Sequence, residues 1–189
     1  MQTDDFATKE KILNTTVKLL NENMNADRIT VRLIANEAGV NSALINYYFH
    51  SKDALLAEAA GICMDRIAGD FFGPGLASPA GDPKEALKQM IKDIADFTMK
   101  YHSISKIGVV AELRSGSVST TRFILPVLRQ IYGAQKSEAE LRLIALQLLI
   151  PLQVFALDPE HYSPVLSVDV NDDSQRNTLI DRIIDNILK

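Results

Sequence analysis

The sequence predicts an all-α protein with a small N-terminal helical domain and a larger C-terminal one. Three observations predict it. Leu, Ala and Ile are the commonest of the 189 residues, and Leu and Ala favour helices. Val and Thr nowhere alternate with polar residues over a long stretch, so strands have no support. Apolar positions instead repeat at helical spacing between recognisable start and stop signals.

The elements follow in order. From Lys9 to Met24, Ile12, Leu13, Val17, Leu19 and Leu20 define a helix with one buried face, and polar Asn21–Asp27 ends it. Thr30 caps a second helix, Val31–Ala38, and Gly39 stands where a left-handed residue stops it. A short third helix covers Asn41–Tyr47. Ser51 or its neighbour caps a long fourth helix, Lys52–Phe72, whose apolar set includes Leu55, Leu56, Ala59, Ile62, Cys63 and Ile67. Phe72–Asp82 is rich in Gly and Pro and reads as a loop.

Asp82-Pro83-Lys84-Glu85 combines a capping residue, a proline at the first position and a glutamate, and opens a helix to about Tyr101. Further helices cover Ile104–Arg114, stopped by Ser115-Gly116-Ser117, and Ser119–Ala134. Ser137-Glu138-Ala139-Glu140 is a capping box opening Glu138–Leu157. That helix is apolar on nearly every side from Leu143 onward, which demands burial on several faces. Asp158–Asp173 is polar and proline-containing, with room for one turn of structure. The last helix, Ser174–Leu188, carries one stripe: Leu179, Ile180, Ile183, Ile184, Ile187 and Leu188.

Composition narrows the function. At 47% hydrophobic and 23% charged residues, the chain matches an ordinary globular protein. The single cysteine, Cys63, forms no internal disulfide and fits a reducing, cytoplasmic setting. Met1–Asp5 is acidic and polar with no apolar stretch behind it, unlike a signal peptide. The apolar tract Leu143–Leu157 is short for a bilayer span and is interrupted by Gln147, Pro151 and Gln153. Asn14-Thr15-Thr16, a formal glycosylation acceptor inside a helix, is read as chance. His50, His102 and His161 are scattered, so neither a metal site nor a cofactor is expected. No nucleophile with a base, no carboxylate pair with a pocket and no phosphate loop is legible, so the chain is not read as an enzyme.

The net charge of −4 gives nucleic-acid binding no help from the whole chain. Residues 1–53 hold six Lys/Arg against seven Asp/Glu. Between Arg28 and Lys52 the balance reverses, with Arg28, Arg32 and Lys52 against Glu37 alone and His50 beside them. There Ala35, Gly39 and Ile45 stand at offsets of four and six residues. Two short helices crossing steeply need a small residue at the contact, a residue tolerant of positive φ at the turn, and an apolar pin on the second helix. Ile34, Val40 and Leu44 fill the space beneath. The third helix then presents Asn41, Ser42, Ala43 and Asn46, small or amide side chains suited to the major groove. Asn46 can pair with an adenine edge and Ala43 can touch a thymine methyl. Thr30, Tyr47, Tyr48 and Lys52 can hold phosphates, and Arg32 can reach a phosphate or a guanine edge. Phe49 reads as core.

The run Thr30-Val31-Arg32-Leu33-Ile34-Ala35-Asn36-Glu37-Ala38-Gly39-Val40, followed by Leu44-Ile45-Asn46-Tyr47-Tyr48-Phe49-His50-Ser51-Lys52-Asp53-Ala54-Leu55-Leu56, resembles the tetracycline-repressor (TetR) family. The resemblance is specific over about residues 9–56. It implies a three-helix helix-turn-helix domain, here 1–52, and a helical ligand-binding and dimerisation domain, 53–189. It implies a homodimer built from the last two helices, 138–157 and 174–188. Thr30, Arg32, Ser42, Ala43, Asn46, Tyr47 and Lys52 fall where family members contact DNA. Many members carry a tyrosine at the place of Asn46, so the contact there differs.

The expected function is a regulator, most simply a repressor, that binds a palindromic double-stranded operator as a dimer. Its third helices would enter successive major grooves about 34–36 Å apart. A small hydrophobic or amphipathic effector would favour a state of different spacing, with Lys52–Phe72 transmitting the change. Spare apolar residues, Met64, Met90, Met99, Phe97 and Phe123, suggest that effector class. His102, Glu112, Gln147 and Gln153 are polar in apolar surroundings and either line the pocket or are satisfied locally. Effector candidates are therefore Phe97, His102, Glu112, Phe123 and Gln147. An activator of the same fold stays open, as does a helical interaction module that binds no DNA.

Overall fold

The computed structural model describes residues 2–23, 26–72, 81–115 and 120–189. Among them are ten α-helices: α1 Gln2–Asn23, α2 Val31–Ala38, α3 Ala43–Phe49, α4 Lys52–Phe72, α5 Pro83–Lys100, α6 His102–Ser115, α7 Thr121–Tyr132, α8 Glu138–Leu157, α9 Pro159–Leu166 and α10 Asp173–Ile187. The described residues contain no strand, and the all-α class holds. The Gly/Pro segment 73–80, the stop at 116–117 and the start at Ser119 lie outside the described residues.

The chain forms two compact units. The first comprises Met1–Asp70 with Tyr101–Ala111, and the second Phe71–Lys100 with Glu112–Lys189. The sequence-based division at residue 52 stays a functional proposal.

In the first unit α1 packs on α2. Its core holds Ile12, Leu20, Ile29, Ile34, Ile45, Leu55 and Ala59, each fully buried, with Ile104 of α6 joining them. Ser103 Oγ accepts the Ala26 N–H at 3.2 Å, and Ser105 Oγ donates to Met64 Sδ at 3.8 Å. Cys63 is buried, and its thiol donates to the Val17 carbonyl at 3.8 Å. Burial pushes that thiol's pKa up, which keeps it protonated.

In the second unit α5, α7, α8 and α10 pack together around Leu87, Ile91, Ile124, Leu128, Leu148, Ile180 and Ile184. Ion pairs line the α5–α10 seam. Lys84 and Lys88 meet Asp185, Lys92 meets Asp181, and Arg176 meets Asp96. Ser137 and Glu140 form the predicted capping box, and Arg129 binds Glu138 at 2.7 Å beside it.

Five boundaries or surfaces depart from the sequence reading. α1 begins at Gln2, not Lys9: its first turns carry no apolar stripe and so leave no periodic signal. α3 begins at Ala43, not Asn41, because the Asn41 side chain accepts the Ala43 N–H at 2.9 Å and holds a turn ahead of the helix. The stretch after Asp158 is the eight-residue helix α9, not a loop with one turn. Asp158 caps it by accepting the His161 N–H, and Pro159 takes its first position. Helix α8 is not buried on several faces within one chain: Leu143 is 56% exposed and residues 150–157 are half-buried. By length and composition α8 is apolar enough to cross a membrane, contrary to the sequence expectation; Leu141, Ile144, Ala145, Leu148 and Leu149 nonetheless sit in the second unit's core.

Candidate nucleic-acid interface

Helices α2 and α3 are set by local chemistry. Thr30 lies in extended backbone, and its hydroxyl accepts the Leu33 N–H at 3.1 Å, satisfying one open donor of α2. Gly39 ends the helix at φ 60° and ψ 41°, the left-handed region, and its N–H bonds back to the Asn36 carbonyl. The Val40 N–H then reaches the Ala35 carbonyl at 3.0 Å, turning the chain toward α3. Ala35 is 4% exposed and Ile45 is fully buried, as contact and pin should be. Phe49 closes the core, with the Lys9 ammonium 5.3 Å from its ring centroid.

What remains outward is the predicted face. Asn41, Ser42, Ala43, Asn46 and Tyr47 are all exposed, as are Thr30 and Arg32. Amides and small groups at the start of a short helix can enter a groove without a long side chain to fold away, and they offer paired donors and acceptors to base edges. Tyr47 and Tyr48 meet edge to face with centroids 4.9 Å apart.

Two expected phosphate ligands are engaged inside the chain. Lys52 is half-buried and donates to the Ile29 carbonyl at 3.2 Å, tying the start of α4 to the residue before the Thr30 cap. An ammonium has three donors, so a phosphate contact remains open to it. The Tyr48 hydroxyl donates to Asp5 Oδ1 at 2.5 Å. That hydrogen bond holds the Tyr48 pKa up, at about 12. Asp5 is the participant that sequence reasoning missed. It precedes Tyr48 by 43 residues, and no local pattern couples them.

The effector candidates are distributed. His102 belongs to the first unit, and Phe97, Glu112, Phe123 and Gln147 to the second. Phe97 is buried on α5, and Gln147 is exposed on α8. Phe123 is exposed on α7, with the Arg122 guanidinium 4.8 Å from its ring centroid. Glu112 is brought together with Thr120 and Gln153. Its Oε2 accepts from Thr120 Oγ1 at 3.3 Å and from Gln153 Nε2 at 3.1 Å.

Residues 12–59 match the family profile of bacterial regulatory proteins, tetR family. Among solved structures, the crystal structure of Mycobacterium smegmatis BioQ is similar at a TM-score of 0.62 and 18% identity. The likeness covers 95% of this chain and 97% of that one. At that identity it shows a shared fold. No match was found among curated protein sequences.

Proposed function

We propose that this chain, a DNA-binding transcriptional regulator carrying at residues 12–59 a DNA-binding domain of the tetR family, acts as a repressor released by a small hydrophobic or amphipathic effector. It binds a palindromic operator as a homodimer in the cytoplasm. Asn41, Ser42, Ala43 and Asn46 face the bases, Thr30, Tyr47, Tyr48 and Lys52 face the phosphates, and Arg32 reaches a phosphate or a guanine edge. The observation that carries the reading is the α2–α3 turn. Gly39 in left-handed conformation and Ile45 at full burial leave Asn41, Ser42 and Asn46, at and just ahead of the start of α3, in solvent.

The dimer is supported by apolar surface that a lone chain leaves wet. Leu143 is 56% exposed, and Ile150, Leu152, Val154 and Phe155 of α8 with Leu179, Ile183 and Ile187 of α10 are only half-buried. Two such helices from each of two chains make a four-helix bundle about a two-fold axis.

The test is selection of binders from random duplex DNA at fixed salt with the purified full chain, beside sedimentation of the free protein. A recovered palindrome with half-sites about one helical turn apart, bound by a dimer, is the expected result. Recovery at non-specific background from a folded protein would overturn the regulator reading, and a monomer at micromolar concentration would overturn the dimer.

A further inference from the structure

We infer that Glu112, Thr120 and Gln153 form the polar end of the effector site, and that this end takes a primary ammonium head group on an apolar body. The inference deepens the repressor reading and rests on it for the word effector. The three residues come from the end of α6, the residue capping α7 and the middle of α8. Their orientation is fixed from one side. Gln153 Nε2 donates to the Glu112 carboxylate, so the other half of that amide must be the carbonyl oxygen. This oxygen, Gln153 Oε1, is buried and has no hydrogen-bond partner. Native chains rarely leave a buried acceptor unpaired, and an orphan at a polar cluster marks a place for something absent from the free protein.

The chemistry of that partner follows from what the cluster offers. A carboxylate and an amide carbonyl both accept hydrogen bonds, and one of them is negative. A carboxylate or phosphate head would face Glu112 with like charge. A quaternary ammonium would satisfy the charge but has no N–H for Gln153. A primary ammonium supplies both charge and donors. One turn to either side of Gln153 on α8 stand Leu149, buried, and Leu157, half-buried, which suits an alkyl or aryl body.

The probes are n-octylamine, n-octyltrimethylammonium and octanoate, titrated calorimetrically into the full chain. Octylamine should bind about ten-fold tighter than its trimethylated analogue, the worth of one charged hydrogen bond. Octanoate should show no heat. Gln153→Leu, shown folded by circular dichroism, should remove the ten-fold preference, so that the two cations bind alike. Glu112→Gln should weaken both cations. Equal affinity for the two cations, octanoate binding as tightly, or a preference that survives Gln153→Leu would overturn the assignment. A protein that selects an operator but binds no octylamine overturns the head group and keeps the repressor. One that binds the probes in the stated order but selects no operator keeps the site and overturns the regulator.

Discussion

Arg176 of α10 reaches Asp96 of α5 across 2.5 Å, from a side chain that is 5% exposed to one that is 43% exposed. The same guanidinium holds Asp173 and donates to the Val170 and Asn171 carbonyls. Burial works against its charge, but the two carboxylates outweigh burial and raise its pKa. Breaking a charged pair with one buried member costs several kcal/mol, less where the remaining partner reaches water. Arg176→Met should therefore cost about 3 kcal/mol, near the low end for such breaks because Asp96 is partly wet. Asp173, 82% exposed, is different: Asp173→Ala should cost about 0–1 kcal/mol. Urea unfolding of both variants checks the contrast.

The Tyr48–Asp5 bond predicts a late tyrosine. With the Tyr48 pKa near 12, ultraviolet titration of phenolate should show one of the five tyrosines ionising well after an ordinary tyrosine near pH ~10. The folded pKa is raised, so the stabilisation is complete below the unfolded value and disappears as pH climbs through the folded one. Asp5→Asn should return Tyr48 toward the ordinary range. An unchanged titration curve would remove Asp5 as the cause.

On DNA, the two kinds of contact should separate. Asn46→Ala should weaken operator binding by about 1–3 kcal/mol and relax the base preference at one position of each half-site. Lys52→Ala should weaken binding to all sequences alike and lower the salt slope. Competition with operator and random duplex at two salt concentrations distinguishes them. A Lys52→Ala variant that changes base preference would show that its bond to the Ile29 carbonyl shapes the reading face.

Gly39 tests the turn. An added Cβ would meet only Lys11 Nζ at 3.7 Å, an ordinary contact. The cost of Gly39→Ala is then the left-handed backbone itself, about 1–2 kcal/mol. Gly39→Asn should cost less, because asparagine visits that region. Thermal unfolding should order the three proteins Gly, Asn, Ala.

Acid should loosen the surface of the second unit. Lys84 and then Lys88 hold Asp185 below the usual carboxylate range, and Arg129 does the same for Glu138. These pKa values are depressed by folding, so their stabilisation is present above about pH 4 and is lost as pH falls through the lower folded values. Asp185→Asn should be less stable than the parent at neutral pH, and the gap should narrow as pH falls below about 4, read by chemical denaturation.

The legible parts of the fold are those with a chemical stop or start. Thr30 and Gly39 fixed α2, Ser51 marked the start of α4, and the Ser137–Glu140 box opened α8 at the predicted residue. Asp158-Pro159 repeats the Asp82-Pro83 signal and opens α9. Pro164 inside that short helix made the stretch read as a loop. The α2–α3 turn was readable because the residues that set it, Ala35, Gly39 and Ile45, are local. The tie from Asp5 to Tyr48 and the meeting of Glu112 with Gln153 were not, since each joins residues 41 or more apart and no periodicity encodes that.

The first unit is not one stretch of chain. Ile104, 1% exposed, completes its core, and Ser103 takes the Ala26 N–H. A ribosome making this protein therefore releases the reading helices long before the residues that finish their support. They wait, partly solvated, while all of α5 is synthesised. A fragment cut at Asp70 would keep every side chain of the proposed DNA face and lose the lid on its own core, so it should bind chaperones and proteases better than operator DNA.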